Sequence, residues 1–440
     1  MYITCSVNGK WIKEENQHEK PGLYREEADT PMNRSTCRNT GSGRIISLFL
    51  ALFIFSSIGT LTAQDSVNDD SMLLAFQRSF ARGSLSTKIQ VLQDASEMRG
   101  EAMGPLYLQS VEFVLDNVRT LRDDNAAQEL AVLAVNLIGI HGYSPAADIV
   151  WRLFENTDSV RIQISVMSTL GQIAQNNPEL VSRLNTWMAS QNNAMRSGGM
   201  VERQVVAECV VTLGKVGNEN SYGLLFSASF LKYSDDITYK ADRAMEELGG
   251  EYTANISRVI ENNPPAEKLA ALERASGRED LGIEERAAIA MKALSFAINN
   301  RVSSESDQNI QRELRYLAVR KLTEYKWSEA TALIIDHFDR TIEELDRGLT
   351  SKSSLLEAIA SLGSMGTHES AVRLSLYLEV MNAYVENGQP VDTQIALAVV
   401  NNLGVLGDRV AFDYLLYTGY LDYAPPVKRA AREALNNLKN

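Results

Sequence analysis

Histidine and cysteine are scarce in this chain, four and three among 440 residues. Cys5 and Cys37 precede the main body, which leaves Cys209 alone in the apolar run Val205-Val206-Ala207-Glu208-Cys209-Val210-Val211. A lone thiol forms no internal disulfide, so packing must hold the body together. Cys209 reads as a small buried hydrophobe. His141, His337 and His368 stand far apart, with no His-Glu-x-x-His and no cysteine pair, so the pattern offers no metal site. Phosphate-loop, dinucleotide-turn and Gly-x-Ser-x-Gly patterns are missing as well. Carboxylate pairs such as Asp123-Asp124, Asp235-Asp236 and Glu343-Glu344 fall at helix starts or on solvated faces, where capping explains them. No catalytic, metal-ligating or cofactor-binding residue is expected, and no cofactor.

Basic residues are outnumbered: 43 Lys and Arg against 56 Asp and Glu give a net charge of -13. Nucleic-acid binding depends on clustered Lys and Arg, so nucleic acid is not an expected partner. With Gly 27 and Pro 10, collagen-like and low-complexity classes are excluded. A hydrophobic content of 45% over this length allows a very large core or several smaller ones.

Between Arg44 and Asp65 no residue is charged, and Ile45-Ile46-Ser47-Leu48-Phe49-Leu50-Ala51-Leu52-Phe53-Ile54-Phe55 is its apolar centre. Arg34, Arg38 and Arg44 precede that run, and Thr62-Ala63-Gln64 follows it with small residues. A basic flank, a short apolar run and a small-residue exit are the parts of a secretory signal peptide. Residues 32–64 are therefore expected to export the chain to the periplasm or cell envelope. The alternative is a membrane anchor in which the 45–63 segment stays uncleaved, although its strongly apolar part is shorter than the ~20 residues a span needs. Met32-Asn33-Arg34 supplies a natural start, which makes residues 1–31 a non-native or disordered extension.

From Asp69 onward, apolar residues recur at three- and four-residue spacing, as in Val201–Val216, Ile395–Leu406 and Val427–Leu438. Leu403-Gly404-Val405-Leu406-Gly407 has counterparts in Leu362-Gly363-Ser364-Met365-Gly366 and Leu213-Gly214-Lys215-Val216-Gly217. Looser copies are Leu170-Gly171-Gln172-Ile173-Ala174 and Ile138-Gly139-Ile140-His141-Gly142. In each, the glycine after the leucine is expected to let the chain leave its helix in a left-handed conformation. Helix ends mark units near 138, 170, 213, 248, 294, 322, 362, 403 and 435, at roughly 30 to 45 residues apart, a degenerate array of stacked helix pairs. Small residues, among them Ala287, Ala288, Ala430 and Ala431, are expected where helices approach closely. The widest inserts are expected around Ser190–Met200, Glu261–Gly282, Asn299–Gln308 and Glu386–Asp392, where such arrays often carry specificity.

Asp158-Ser159-Val160-Arg161 leads to Leu170-Gly171, Glu284-Glu285-Arg286-Ala287-Ala288 leads to Ala293-Leu294, and Pro426-Val427-Lys428-Arg429-Ala430-Ala431 leads to Ala434-Leu435. In this the chain resembles HEAT-repeat proteins, especially the short bacterial HEAT-like type, over about residues 70–440. The resemblance implies an all-α fold, an α-solenoid of stacked antiparallel helix pairs over residues 65–440. Some HEAT-like enzymes bind iron through paired His-Glu motifs; His368-Glu369 is one such dipeptide here, and the others such a site needs are absent.

Members of that family mostly act as scaffolds, so the leading expectation is a non-enzymatic adaptor that binds another protein through its curved surface. One alternative is a lyase-like or other enzyme with a pocket assembled between repeats; another is a membrane-tethered envelope structural protein. Two features are candidate partner contacts: Tyr414, Tyr417, Tyr420 and Tyr423, spaced every three residues, and Lys428, Arg429 and Arg432, basic in an acidic chain. Packing of the last unit and solubility of a capping repeat explain the same residues without a partner. Peptide mapping of the precursor tests the start at Met32. Coverage should begin there, and a peptide spanning Glu26 to Ala28 would overturn it.

Overall fold

Apolar spacing of three and four residues becomes helix throughout. The computed structural model describes residues 61–98, 100–175 and 177–438, and among them all regular structure is helical. The expected extension and residues 32–60 of the expected signal segment lie outside the described residues. The first ten α-helices are α1 (Leu61–Arg82), α2 (Leu85–Ser96), α3 (Gly104–Asp116), α4 (Asn125–Ile140), α5 (Ala147–Asn156), α6 (Val160–Ile173), α7 (Pro178–Arg196), α8 (Arg203–Val216), α9 (Tyr222–Phe230) and α10 (Asp235–Leu248). The second ten are α11 (Tyr252–Asn262), α12 (Pro265–Ser276), α13 (Ile283–Asn299), α14 (Glu305–Tyr325), α15 (Thr331–Asp346), α16 (Lys352–Met365), α17 (His368–Glu386), α18 (Thr393–Leu406), α19 (Phe412–Tyr420) and α20 (Pro425–Asn437). No described helix is long and apolar enough to cross a membrane.

Neighbouring helices pack in two interleaved series. Each of α2, α4, α6, α8 and α10 packs on the next, and so do α12, α14, α16, α18 and α20. Between them run α7, α9, α11, α13, α15, α17 and α19, again each on the next. Buried apolar side chains from Phe80 to Ala434 form one contiguous core, in which Cys209 is fully enclosed and its thiol pKa is pushed up by burial.

The glycine after the leucine does not end its helix, contrary to the expectation from sequence. Gly139, Gly171, Gly214, Gly363 and Gly404 all lie inside helices that run on past them. Each faces the next helix of its series. A Cβ at Gly214 would stand 2.9 Å from Ala244 Cα, and one at Gly404 would stand 3.0 Å from Ala434 Cβ. Gly139 meets Thr169, Gly171 meets Thr212 and Gly363 meets Asn402 in the same way. Two of these neighbours bond the helix they approach: Thr169 Oγ1 donates to the Val135 carbonyl at 2.9 Å and Thr212 Oγ1 to the Met167 carbonyl at 2.7 Å. Both carbonyls lie four residues before the glycine. In two copies the second glycine makes the left-handed exit, with φ of 69° at Gly366 and 64° at Gly407, whereas Gly217 leaves α8 in an extended conformation.

Other expectations need correction. The Glu284–Leu294 segment, matched from sequence with those of α6 and α20, is α13 and packs on α11 and α15, in the series to which α6 and α20 do not belong. Glu261–Gly282 is no loop insert, because it contains α12, and most of Ser190–Met200 continues α7. Ala288 faces solvent while Ala287, Ala430 and Ala431 are buried. Ser234, not Asp235, caps α10, and the two aspartates sit in its first turn, where the helix dipole favours them.

A longer period emerges from the packing. Glu129-Leu130-Ala131-Val132-Leu133-Ala134-Val135 of α4 matches Glu313-Leu314-Arg315-Tyr316-Leu317-Ala318-Val319 of α14. Buried Lys88 on α2 donates to the Phe80 carbonyl and sits 4.6 Å from the Phe113 ring centre; buried Lys268 on α12 donates to the Ile260 carbonyl, 3.9 Å from the Phe296 ring. Phe154 meets Trp187 edge-on at 5.5 Å, as Phe338 meets Tyr377 at 5.2 Å. Asn192 Nδ2 bonds the Leu224 carbonyl and Asn382 Nδ2 the Tyr414 carbonyl, both at 3.1 Å. In each case the second member lies about 180 to 190 residues after the first, so α11–α20 repeat α1–α10 in order.

Between these halves the chain passes Gly249 and Gly250, both with positive φ, and α12 is tied back to the first half through a buried carboxylate. Glu267 accepts from Arg196 Nη2 on α7 at 2.6 Å, from Ser227 Oγ on α9 at 2.6 Å and from Asn263 Nδ2 at 2.7 Å.

The packing at the glycines predicts opposite responses to one methyl group. Gly171→Ala meets its neighbours at 3.5 Å or more, so it should stabilise by about 0.5–1 kcal/mol through the loss of glycine's unfolded-state freedom. Gly214→Ala collides with the Ala244 backbone and should cost about 1–3 kcal/mol. Urea titrations of the two variants check both signs.

Candidate functional site

Helix α19 is held against α17 by one flank. Asn382 bonds both the Tyr414 carbonyl and Thr418 Oγ1, the latter at 3.0 Å, and Tyr417 Oη donates to Glu386 Oε1 at 2.8 Å. That carboxylate holds the Tyr417 phenol above its ordinary pKa. Phe412, Leu416 and Tyr420 are each two residues from Tyr414 or Thr418, about 200° round the helix, and therefore point away from α17. They form an exposed row at four-residue spacing, with Phe412 45%, Leu416 38% and Tyr420 77% accessible. Helix α20 repeats the arrangement: Ala434 meets Gly404 of α18 with Ala430 buried one turn before it, and Arg432, two residues from both, and Lys428, two residues from Ala430, turn away.

The four tyrosines singled out from sequence do not share one surface. Tyr423 is buried, and burial pushes its phenol pKa up; Tyr414 is half-buried, Tyr417 is engaged with Glu386, and Tyr420 is open. Lys428 is half-buried, Arg429 and Arg432 are exposed, and none of the three makes an ion pair among the described residues. Phe412 and Leu416, the apolar neighbours of that row, are the residues that three-residue spacing missed. Their four-residue spacing was the available signal. A second exposed row, Leu376, Val380 and Tyr384, runs along α17.

A cavity of about 890 Å³ lies elsewhere, between the end of α13, the first half of α14 and the second half of α15. Arg301, Arg312, Arg315, Arg340 and Arg347 line it, with Asp336, Asp339, Glu343 and Glu344. Arg315 is 1% exposed and pairs through Nη2 with Glu344. Arg340 Nε stands 3.6 Å from the same carboxylate and Arg312 Nε 3.8 Å, too far for hydrogen bonds. No sequence signal exposed this cluster, because Arg315 occupies what reads as a core position between Leu314 and Ala318.

The histidines remain apart. His141 stacks on Tyr107 at 5.6 Å, while buried His337 stays neutral, its pKa pushed down to about 3 by burial and the charge of Arg315. His368 opens α17 and bonds Asp408 at 2.8 Å through Nδ1. Asp408 also caps the turn before α19 through Val410 N at 2.9 Å. Among the described residues no group of three or more His, Cys, Asp or Glu side chains is placed to hold a metal ion. The chain matches no known family profile, and no curated protein is similar to it.

The His368–Asp408 pair ties α17 to the unit that follows and has a defined pH window. The hydrogen bond and charge of Asp408 raise the His368 pKa above 6.5, so that contribution is complete below 6.5 and fades as pH rises through the raised value. The Val410 amide and then His368 lower the Asp408 pKa below 3.8, so that contribution is present above 3.8 and fades as pH falls through the lowered value. In an NMR titration His368 should titrate above 6.5, and Asp408→Asn should bring it back toward 6.5. An unchanged midpoint in the variant would break the pairing.

Proposed function

We propose that this chain is an exported HEAT-like α-solenoid that acts as a non-enzymatic scaffold, holding another protein at its surface in the cell envelope. The export component rests on the basic, apolar and small-residue order before residue 65. The solenoid component is supported by the two series of neighbouring helices and by the constant register of their glycine joints. In a solenoid each unit buries the face of the one before it, and a terminal unit needs a polar outer face.

The observation that carries the binding role is an apolar row on α19. Phe412, Leu416 and Tyr420 stand exposed on the flank turned away from α17, and Lys428 and Arg432 on the helix that follows make no ion pair among the described residues. An amphipathic helix with an apolar stripe and acidic flanks has the complementary chemistry. Buried aromatic and aliphatic anchors in such a contact supply most of the affinity, and the basic rim supplies orientation.

Cross-linking and purification from the envelope fraction test the reading. Wild type should recover a specific protein, and the double variant Leu416→Asp/Tyr420→Ser should lose it at an unchanged melting temperature. Repeated recovery of no specific protein, or recovery of the same protein by the variant, would overturn it.

A further inference from the structure

We propose that the cavity bounded by α13, α14 and α15 is an oxyanion-binding site that takes a phosphate or carboxylate group between Arg312, Arg315 and Arg340. The first argument is internal to the chain. Arg315 stands in Glu313-Leu314-Arg315-Tyr316-Leu317-Ala318-Val319 where the matching heptapeptide of α4 has Ala131, and both positions are buried. A guanidinium at an alanine position carries a large desolvation cost unless its donors are met. Glu344 meets Nη2 alone; Nε and Nη1 of Arg315 have no partner and no contact with solvent. Arg312 Nε is enclosed and unpartnered as well.

Charge leads to the same place. Three guanidinium groups converge on the single carboxylate of Glu344. Asp339, the next acid of the lining, is committed to Arg373 outside it at 2.7 Å, and Asp336 and Glu343 are exposed. Arg301 and Arg347 add two further cations, both exposed. The centre of the cavity is thus positive within a chain of net charge -13. Planar guanidinium forks match the paired oxygens of phosphate and carboxylate, which fixes the ligand class.

The first half of the chain has a corresponding hollow at the end of α3 and start of α4, about 200 Å³ in volume and lined by Arg119 and Arg122, the latter paired with Asp158. Gln128 stands there where α14 has Arg312, and Ala131 where it has Arg315. The larger cavity and arginine at these two positions therefore occur together in the second half. The proposal is independent of the protein-docking row on α19.

Isothermal titration of the full chain with inorganic phosphate, and separately with succinate, at fixed ionic strength tests it. Saturable 1:1 binding of either is expected, and the one that binds more tightly identifies phosphate or carboxylate as the preferred group. Arg312→Gln and Arg340→Gln leave the Arg315–Glu344 pair in place, so they should keep the fold and weaken binding about tenfold or more. Arg203→Gln, an exposed residue at the start of α8, should bind like wild type. Absence of saturable binding for both anions would overturn the proposal and leave the cluster a packing device. Wild-type affinity in both cavity variants, or an equal loss in Arg203→Gln, would overturn it as well.

Discussion

Two helices can lie against each other at backbone distance only where a side chain is missing from the line of contact. In this chain the missing side chain is that of Gly139, Gly171, Gly214, Gly363 and Gly404, and each notch receives the residue just before the apolar anchor of the next helix in the series. The Thr169 and Thr212 hydroxyls then bond carbonyls that a bulkier joint would hold out of reach. Close approach fixes register, and register fixes which residues of every later helix are buried. The apolar row on α19 and the basic face of α20 follow from it, because both are the flanks left over when the other flank has met its predecessor.

Helix content, the glycine element and the positions of most helices were legible in the sequence, because three- and four-residue apolar spacing depends on local order alone. The purpose of the glycine was not. A leucine followed by glycine near a helix end looks like an exit, and only the position of Ala434 against Gly404 shows that the contact, not the turn, requires it. The same limit hid α12, whose Pro264-Pro265 start and acidic neighbours read as a loop. Of the candidate site, three-residue spacing grouped Tyr414, Tyr417, Tyr420 and Tyr423 alike; Tyr420, Arg429 and Arg432 are exposed, whereas Tyr423 is buried by long-range packing that spacing does not show. The arginine-lined cavity could not be read at all, because Arg312 and Arg340 meet only through the pairing of α14 with α15.

Acidic composition gives this molecule a repulsive surface for most anions, and the exceptions to it are built in different ways. On α20 Arg429 and Arg432 are exposed and make no ion pair among the described residues, a face suited to long-range attraction and easily screened by salt. Around Glu344, Arg315 is enclosed and Arg312 half-buried, so their interaction with any group that reaches them is stronger and shorter-ranged than at the surface. Buried Lys88 and Lys268 form a further type, in which a cation spans a helix-end carbonyl and an aromatic ring and is satisfied by the fold itself.

A chain whose two halves resemble each other faces a hazard of its own making: during folding, a segment of one half can occupy the place meant for its counterpart. The Glu267 network discriminates between them. Thr87 holds the corresponding place on α2 and Glu386 that of Arg196 on α17, so neither exchange reproduces the four-way bonding at the middle of the chain. With α17 in the place of α7, Glu386 would stand where Arg196 does and leave the buried Glu267 carboxylate without its cation, a penalty larger than most packing errors. The partners of that carboxylate thus distinguish one half of the chain from the other.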